Sequence, residues 1–300
     1  MKKKTYLIAL MAMALTLGSC SDNENGIGGE TSKYITVSTS IGNMTRVATD
    51  ANGGQTFEEG DEISVYAWTG DATVAPETRE RVVNNAINKL TNGSWVSTPQ
   101  MLWKNNRDKH YFIGVYPTAA ISDLSAGEYT FDVNKQTESD LLVAVNPDGL
   151  SYSADAQQTV PLTFTHVMAK LAVNLTYKNQ WGGIPTVEKV VVGNAAKEAT
   201  INYLTKVVTP STTAKEDFSL PEITENTKYV SVIIPQEDVK QLTIVIGGKN
   251  FVYDNGTPFK LESGKITTVN LEVGRDEIKL GDVKITDWED GSTFKGEALN

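Results

Sequence analysis

Few residues of this chain have the chemistry that catalysis needs. The sequence contains two histidines, His110 and His166, and both stand in apolar stretches with the alternation of a β-strand. No GxSxG or HExxH motif accompanies them, so neither a strand-turn-helix nucleophile nor a zinc-binding helix is indicated. We interpret both as buried structural histidines and predict no catalytic residue, no metal site and no cofactor.

Acidic turns and tryptophans are the remaining candidates for a binding site. The turns at 50–54 and 286–293 lack the alternating oxygen ligands of an EF-hand loop, which favours solvated turns over calcium sites. A pair of hydrolytic carboxylates stays open, because such residues are far apart in most glycoside hydrolase sequences. Trp95 and Trp181 stand next to glycines in turns and are the candidates for contact with a sugar, although packing is the preferred interpretation.

The only cysteine, Cys20, follows a secretory signal. Three lysines at 2–4 precede a mostly apolar run over 6–17, which is shorter than the roughly 20 residues that a membrane-spanning helix needs. A leucine three residues before the cysteine resembles the lipobox of bacterial lipoproteins, which implies that residues 1–19 are removed and that Cys20 carries a lipid. The mature chain then has no thiol, so disulfides and a cysteine nucleophile are excluded.

Charge and length limit the remaining functions. Of 27 basic and 37 acidic residues, three lysines belong to the signal, so the mature chain carries 24 basic residues and a formal charge of −13. Such a chain repels phosphate backbones, and no nucleic acid is expected as a partner. The length suits one large or two ordinary domains.

Two patterns follow the signal. Residues 20–32 are polar and glycine-rich, which predicts a flexible tether. From residue 34 the pattern has period two, which predicts a half-buried strand. The residues on its apolar face are Ile35, Val37, Thr39 and Ile41.

Similar runs predict strands along the rest of the chain. They lie at 62–68, 109–116, 127–133, 140–145, 158–177, 187–193, 199–203, 228–234, 241–246, 249–253, 258–261, 265–273 and 280–286. Turns are predicted at 52–54, 92–94, 146–149 and 181–183, and a hairpin turn at 247–248. One short helix is predicted over 79–90, because Val82, Ala86 and Leu90 would share a face.

Many short strands separated by turns indicate antiparallel β-sandwiches. The run 158–177 could leave one sandwich and enter the next, so we place a boundary near residue 165. The predicted domains are an N-terminal sandwich over 33–165 and a C-terminal sandwich over 166–300.

An ordered set of segments resembles the fimbrillin-like, or Mfa-like, lipoproteins that assemble type V pili in Bacteroides-type bacteria. The segments are TRVATD (45–50), FEEGDEISVYAW (57–68), WKNNRDKHYFIGVYP (103–117), DLLVA (140–144), VPLTFTHVMAKLAVNL (160–175), IIPQ (233–236), GGKNFVY (247–253), LESGKITTVNLEV (261–273) and ITDWEDG (285–291). The resemblance implies an all-β chain with two tandem transthyretin-like antiparallel β-sandwich domains. It also implies a pilus subunit that is lipid-anchored in the outer membrane through Cys20 and is not an enzyme.

The resemblance further implies assembly by strand exchange. In this family an arginine-specific protease cuts near the N terminus, the first strand leaves, and a strand from another pilus subunit fills the groove. Arg46, in polar sequence after the first strand, is the candidate for the cut. An uncut surface arginine is the alternative.

The candidate donor strand is the C-terminal region 278–288. Its apolar residues are Ile278, Leu280, Val283 and Ile285. Because the alternation breaks at Gly281, the region could equally be a fixed terminal strand of the second sandwich. Two other functions stay open: a monomeric surface glycan-binding lipoprotein and a secreted hydrolase. A host or bacterial surface receptor is a further expected partner of a pilus subunit.

Overall fold

The structure, a computed structural model, describes residues 33–42, 56–153, 158–254 and 256–288. Regular structure in these residues is almost entirely β, which confirms the predicted all-β class. The helical elements there are one turn, α1 (Gln136–Ser139), and the 3-10 turns Thr78–Glu80 and Asn179–Trp181. No helix in this part of the chain is long and apolar enough to cross a membrane.

Nineteen strands are described, numbered along the chain. The first nine are β1 (Thr36–Ile41), β2 (Glu62–Thr69), β3 (Arg81–Thr91), β4 (Ser94–Thr98), β5 (His110–Tyr116), β6 (Gly127–Thr130), β7 (Leu142–Leu150), β8 (Thr159–His166) and β9 (Ala169–Tyr177). The others are β10 (Lys189–Ala196), β11 (Glu198–Asn202), β12 (Val207–Pro210), β13 (Lys215–Ser219), β14 (Glu222–Thr224), β15 (Lys228–Ile233), β16 (Gln241–Ile246), β17 (Lys249–Asp254), β18 (Lys265–Val273) and β19 (Ile278–Asp287).

These strands form four sheets. The largest has seven strands in the order β1-β8-β7-β5-β2-β3-β4, and the next has five in the order β14-β15-β9-β18-β19. A four-stranded sheet (β13-β10-β16-β17) and a three-stranded sheet (β12-β11-β6) complete the set. The pairs β1–β8 and β9–β18 are parallel, whereas the other strand pairs in the described residues are antiparallel.

Two apolar clusters form the core. In β2, Ile63, Val65 and Ala67 belong to the smaller cluster, whereas Tyr66 and Trp68 on the opposite face belong to the larger one. The central strands of the seven-stranded sheet are therefore buried on both faces, and that sheet separates the two clusters. The larger cluster contains residues from both halves of the chain.

The predicted helix over 79–90 is wrong, because most of this segment lies in β3. Two register shifts in the pairing of β3 with β2 put extra residues on β3, and one of these residues, Asn85, has a φ of 55°. The bulges change the phase of the strand, so Val83 and Ala86 are both buried although they are three residues apart. That spacing resembles a helical period.

Two predicted turns are confirmed as hairpin turns, whereas one predicted turn and one predicted strand differ in the structure. Asn92 and Gly93 join β3 to β4, and Gly247 and Gly248 join β16 to β17, each pair with positive φ as tight hairpins require. The NPDG sequence at 146–149 is instead a register shift within β7. The predicted strand at 258–261 is reduced to a single bridge between Leu261 and Gln236.

The predicted division into two domains remains a prediction. Close to residue 165, β8 ends at His166 in the seven-stranded sheet and β9 begins in the five-stranded one. Across this point, however, β6 pairs with β11, and the Gln136 side chain accepts a 2.7 Å hydrogen bond from the Val232 amide. The two halves therefore share both backbone pairing and core.

Gly114 gives a test of how the smaller cluster is packed. A Cβ at this position of β5 would lie 2.6 Å from Cζ of Phe164, which is fully buried. We expect Gly114→Ala to lower the free energy of unfolding by about 1–3 kcal/mol in urea titrations, because the aromatic ring must move within a packed core. In Gly193→Ala the nearest atom belongs to the exposed side chain of Gln241, and the loss should be smaller. Equal stability of the Gly114→Ala and unmodified proteins would contradict this packing.

Candidate strand-exchange site

The predicted functional residues fall into two groups. Cys20 and Arg46 lie outside the described residues, as does the acidic turn at 50–54. The first strand and the C-terminal region are described as β1 and β19, and they lie in different sheets. The structure therefore gives geometry for the groove of the first strand and for the candidate donor strand.

β1 is the edge strand of the seven-stranded sheet, and its alternation follows the prediction. Ile35 and Val37 are buried at 2% and 6% exposure, Thr39 and Ile41 are half-buried, and Ser38 is exposed. Ile35 and Val37 belong to the smaller core cluster. Removing the two side chains from the core costs about 1.5–3 kcal/mol each, which favours retention of the strand.

The backbone of β1 pairs in parallel with β8, from Thr36 opposite Thr159 to Ile41 opposite Phe164. Just before β1, the Ile35 amide donates to the Met101 carbonyl at 2.9 Å, so the chain is paired on its other side there. Strand β1 is thus held along its length by main-chain hydrogen bonds, which do not depend on its sequence.

β8 depends on β1 in turn. The pairing of β8 with β7 covers only Phe164 to His166, so among the described strands β1 alone pairs with Thr159–Thr163. Val160 and Leu162 in this part of β8 are 0% and 1% exposed. If β1 left, unpaired backbone and an apolar groove would be exposed together, and buried backbone groups without partners are strongly disfavoured. Such a groove would favour a replacement strand.

Polar contacts on β1 are arranged differently on its two faces. On the outer face, the hydroxyls of Thr36 and Ser40 each lie 3.2 Å from a threonine hydroxyl of β8. On the inner face, the Trp95 indole nitrogen of β4 donates to Oγ1 of Thr39 at 3.0 Å. A surface pocket of about 590 Å³, distinct from the groove that β1 fills, lies between β1 and the start of β4. Trp95, a candidate for sugar contact, is thus engaged with the first strand.

The C-terminal strand β19 pairs with β18 along its whole length. A register shift at Gly281 explains why the apolar alternation breaks there, since this glycine is the extra residue of a bulge. Val283 lies opposite Val269 and Ile285 opposite Thr267, so both point to the core side of the sheet. They nevertheless remain 37% and 40% exposed.

Trp288 follows this exposed strand and is almost fully buried, at 3% exposure. Its ring stacks on His166 with centroids 4.0 Å apart and planes 7° apart, and Nζ of Lys170 lies 4.0 Å from the ring centroid. His166 also contacts the Asp140 carboxylate at 2.8 Å. We call Trp288, His166 and Lys170 the C-terminal clasp, because these contacts fix the end of β19 to β8 and β9.

The two histidines are buried, as predicted. His110 is fully buried, and its Nε2 accepts a hydrogen bond from the Lys104 amide at 3.0 Å, while Nδ1 lies 3.1 Å from the Asp108 carbonyl. Burial lowers the pKa of His110, which favours the neutral ring that these two contacts require. His166 belongs to the clasp.

Trp181, the other tryptophan considered for sugar contact, is also packed. Its ring meets Phe251 edge to face, and its indole nitrogen donates to the Val273 carbonyl at 3.0 Å. The described residues contain no group of three histidine or acidic side chains placed to hold a metal ion.

Sequence reasoning predicted the inward face of β1 but missed two long-range contacts, one of β1 and one at the end of β19. The alternation of β1 gave its inner face, whereas Trp95 is 56 residues from Thr39 and its contact leaves no local pattern. Trp288 ends the C-terminal region 278–288, and no sequence pattern pointed to its contacts. The C-terminal clasp joins residues more than 100 positions apart, so only the fold reveals it.

Comparison with known proteins gives concordant results. A family model described as fimbrillin-like matches residues 45–288. A Bacteroides uniformis protein named as a fimbrium subunit, Fim1C, is 24% identical over 315 residues, which cover 97% of each chain. A Bacteroides uniformis structure described as a cell adhesion protein aligns with a TM-score of 0.62 and 20% identity, over 86% of this chain and all of the other. A Bacteroides ovatus structure described in the same way has a TM-score of 0.62 at 18% identity, over 85% and 98%.

The dependence of β8 on β1 can be tested with Ile35→Ala. Truncation of this buried side chain should lower the stability of the β1 attachment by about 2 kcal/mol or more. We therefore expect amides in residues 159–163 to exchange hydrogen for deuterium at least about tenfold faster, measured by mass spectrometry. Ser38→Ala, on the exposed face of the same strand, should leave these rates unchanged. Equal protection in Ile35→Ala would mean that β8 does not depend on β1.

The C-terminal clasp predicts that Trp288 fixes β19. In Trp288→Ala, loss of a buried aromatic ring should lower the free energy of unfolding by about 3–5 kcal/mol. The amides of residues 278–287 should lose most of their protection from hydrogen exchange. Val283→Ala, a truncation within the same strand at an exposed position, should change protection little. Full protection of β19 in the Trp288→Ala protein would show that pairing with β18 alone holds the strand.

Proposed function

The chain belongs to the fimbrillin-like family, and from this membership we propose that it is a surface-exposed pilus subunit that assembles by strand exchange at the groove of β1. The observation that carries the proposal is the mutual dependence of β1 and β8. β1 supplies the only described backbone partner of Thr159–Thr163 and fills an apolar groove with Ile35 and Val37. A strand from another subunit could restore both interactions.

The position of β1 in the chain supports this proposal. It is the first described strand, it lies at a sheet edge, and the proposed cut after Arg46 would separate it from everything that follows. It would then be held by non-covalent contacts alone. A peptide that is no longer tethered loses its high effective concentration, so a strand from a neighbouring subunit can compete for the groove.

Delivery to the surface would use the lipid on Cys20. We propose that this anchor places the subunit in the outer membrane and that cutting after Arg46 discards the anchor together with β1. A subunit that is not cut would stay attached to the membrane and would serve as the anchor of the fibre. Receptor binding by the assembled pilus follows only from the family role in adhesion.

For β19 we propose the fixed role rather than the donor role. Donation would require breaking the C-terminal clasp, in which Trp288 is buried against His166 and Lys170. It would also break the continuous pairing with β18 and leave that strand with an unpaired edge. Strand β1 can be removed by a single cut, whereas β19 would have to be pulled from a buried aromatic contact.

The proposal is tested with the purified mature chain lacking lipid, treated with an arginine-specific protease. We expect loss of the residues up to Arg46 and then oligomers of increasing mass, detected by mass spectrometry and size-exclusion chromatography. Arg46→Lys should block both events. Arg107→Lys, a change at an exposed arginine outside the regular strands, should block neither.

Two results would contradict the proposal. A protein trimmed at Arg46 that stays monomeric at every concentration would argue against strand exchange at this groove. Oligomers that form equally well from the Arg46→Lys protein would show that removal of β1 is unnecessary for assembly.

A further inference from the structure

The inward face of β1 is aliphatic except at one position. Ile35, Val37 and Ile41 present aliphatic side chains, whereas Thr39 presents a hydroxyl between the last two. This hydroxyl accepts a hydrogen bond from the indole nitrogen of Trp95, with the two atoms 3.0 Å apart. The Trp95 indole is therefore a polar group that needs a partner from the strand in the β1 position.

Trp95 is held in place by residues outside β1. Its backbone pairs with Leu90 in the β3–β4 hairpin, and its ring meets Phe57 edge to face at 5.3 Å. Phe57 in turn packs edge to face against Phe164 at 5.1 Å. These contacts do not involve β1, so the indole should keep its orientation when the strand changes. An indole nitrogen can only donate a hydrogen bond, so the facing group must be an acceptor.

We propose that Trp95 is a specificity-determining residue of the groove and selects an incoming strand that carries serine or threonine at its third inward position. The fitting partner is an extended strand of another subunit with the pattern aliphatic-x-aliphatic-x-(Ser or Thr)-x-aliphatic. A purely aliphatic strand would leave the Trp95 donor without an acceptor, and an unmade hydrogen bond in a partly buried site lowers affinity. This inference rests on the proposed strand exchange and states which partner the groove accepts.

The requirement for serine or threonine at the third inward position also disfavours β19 of a second copy as the occupant. Counting inward positions from Ile278 places Asp282 third and Lys284 fourth, and counting from Val283 places Asp287 third. A carboxylate can accept from the indole, but taking its charge into an otherwise apolar groove is unfavourable. The requirement thus agrees with the fixed role proposed for β19, and it points to a segment other than β19 as the donor.

The first test measures the contact within the intact chain. Thr39→Val removes the hydroxyl at nearly constant volume, and Trp95→Phe removes the donor. We expect Thr39→Val to raise the equilibrium constant for unfolding about 3- to 10-fold when Trp95 is present, and by clearly less in the Trp95→Phe protein. Additive effects of the two changes in this double-mutant cycle would overturn the inference, because the Thr39 hydroxyl and Trp95 would then not interact energetically.

The second test measures selection of the strand. Fluorescently labelled synthetic peptides of residues 33–42 are titrated into the full-length mature protein after treatment with the arginine-specific protease, and binding is followed by anisotropy. We expect the unmodified and Thr39→Ser peptides to bind alike and the Thr39→Val peptide about 3- to 10-fold more weakly. The Ser38→Ala peptide, which loses a hydroxyl on the exposed outer face, is the matched control and should bind like the unmodified one. When the Trp95→Phe protein is used, the Thr39→Val peptide should bind as tightly as the unmodified peptide.

The outcomes separate this inference from the function on which it rests. Binding of all peptides with equal affinity would overturn the selection by Trp95 and leave strand exchange intact. Coupling in the intact chain without binding of any peptide would reject exchange at this groove, and with it the selection. A penalty that persists in the Trp95→Phe protein would assign selectivity to another residue and would also overturn the inference.

Discussion

The backbone of β8 needs a strand beside it. Between Thr159 and Thr163, β1 is its only described partner, and the same stretch carries two almost fully buried aliphatic side chains, Val160 and Leu162. A segment that is buried on its side chains and open on its hydrogen-bonding edge is unstable, so this part of the fold is complete only with a strand in the β1 position. The requirement is for an extended backbone with alternating apolar side chains. It is not a requirement for the first strand of the same chain.

Local alternation predicted such strands well where they are regular. The inner face of β1 and the full extent of β18 follow directly from period two, because one face of each strand contacts the core and the backbone is uninterrupted. The same reasoning failed at β3, where bulges place Val83 and Ala86 on one side at a spacing close to that of a helix. A bulge changes the phase of burial without leaving a distinctive residue, so the sequence alone could not separate a bulged strand from a short helix.

The residues of the candidate site also fall into a group that local alternation predicts and a group that it does not. Residues that act through their own strand, such as Ile35 and Val37, were found because their neighbours in sequence define the face. Contacts that join distant strands were missed: Trp95 reaches Thr39 across the two edges of the seven-stranded sheet, and Trp288 reaches His166 from a different sheet. Period two grouped Thr39 with the aliphatic residues of β1, and its separate role depends on a donor that only the fold places opposite it.

The two terminal strands of the described region are held by different kinds of interaction, and this difference favours β1 over β19 in the proposed strand exchange. Contacts of β1 are mostly main-chain hydrogen bonds and aliphatic side chains, which any strand of similar pattern can reproduce. β19 ends in a stacked pair of rings with a lysine ammonium beside them, a geometry that a replacement strand would match only with tryptophan at the same register. Exchange is easiest where recognition is generic, and it then needs an added element of selectivity. The hydrogen bond of Trp95 supplies such an element at the one inward position of β1 where an aliphatic side chain would leave a donor unpaired.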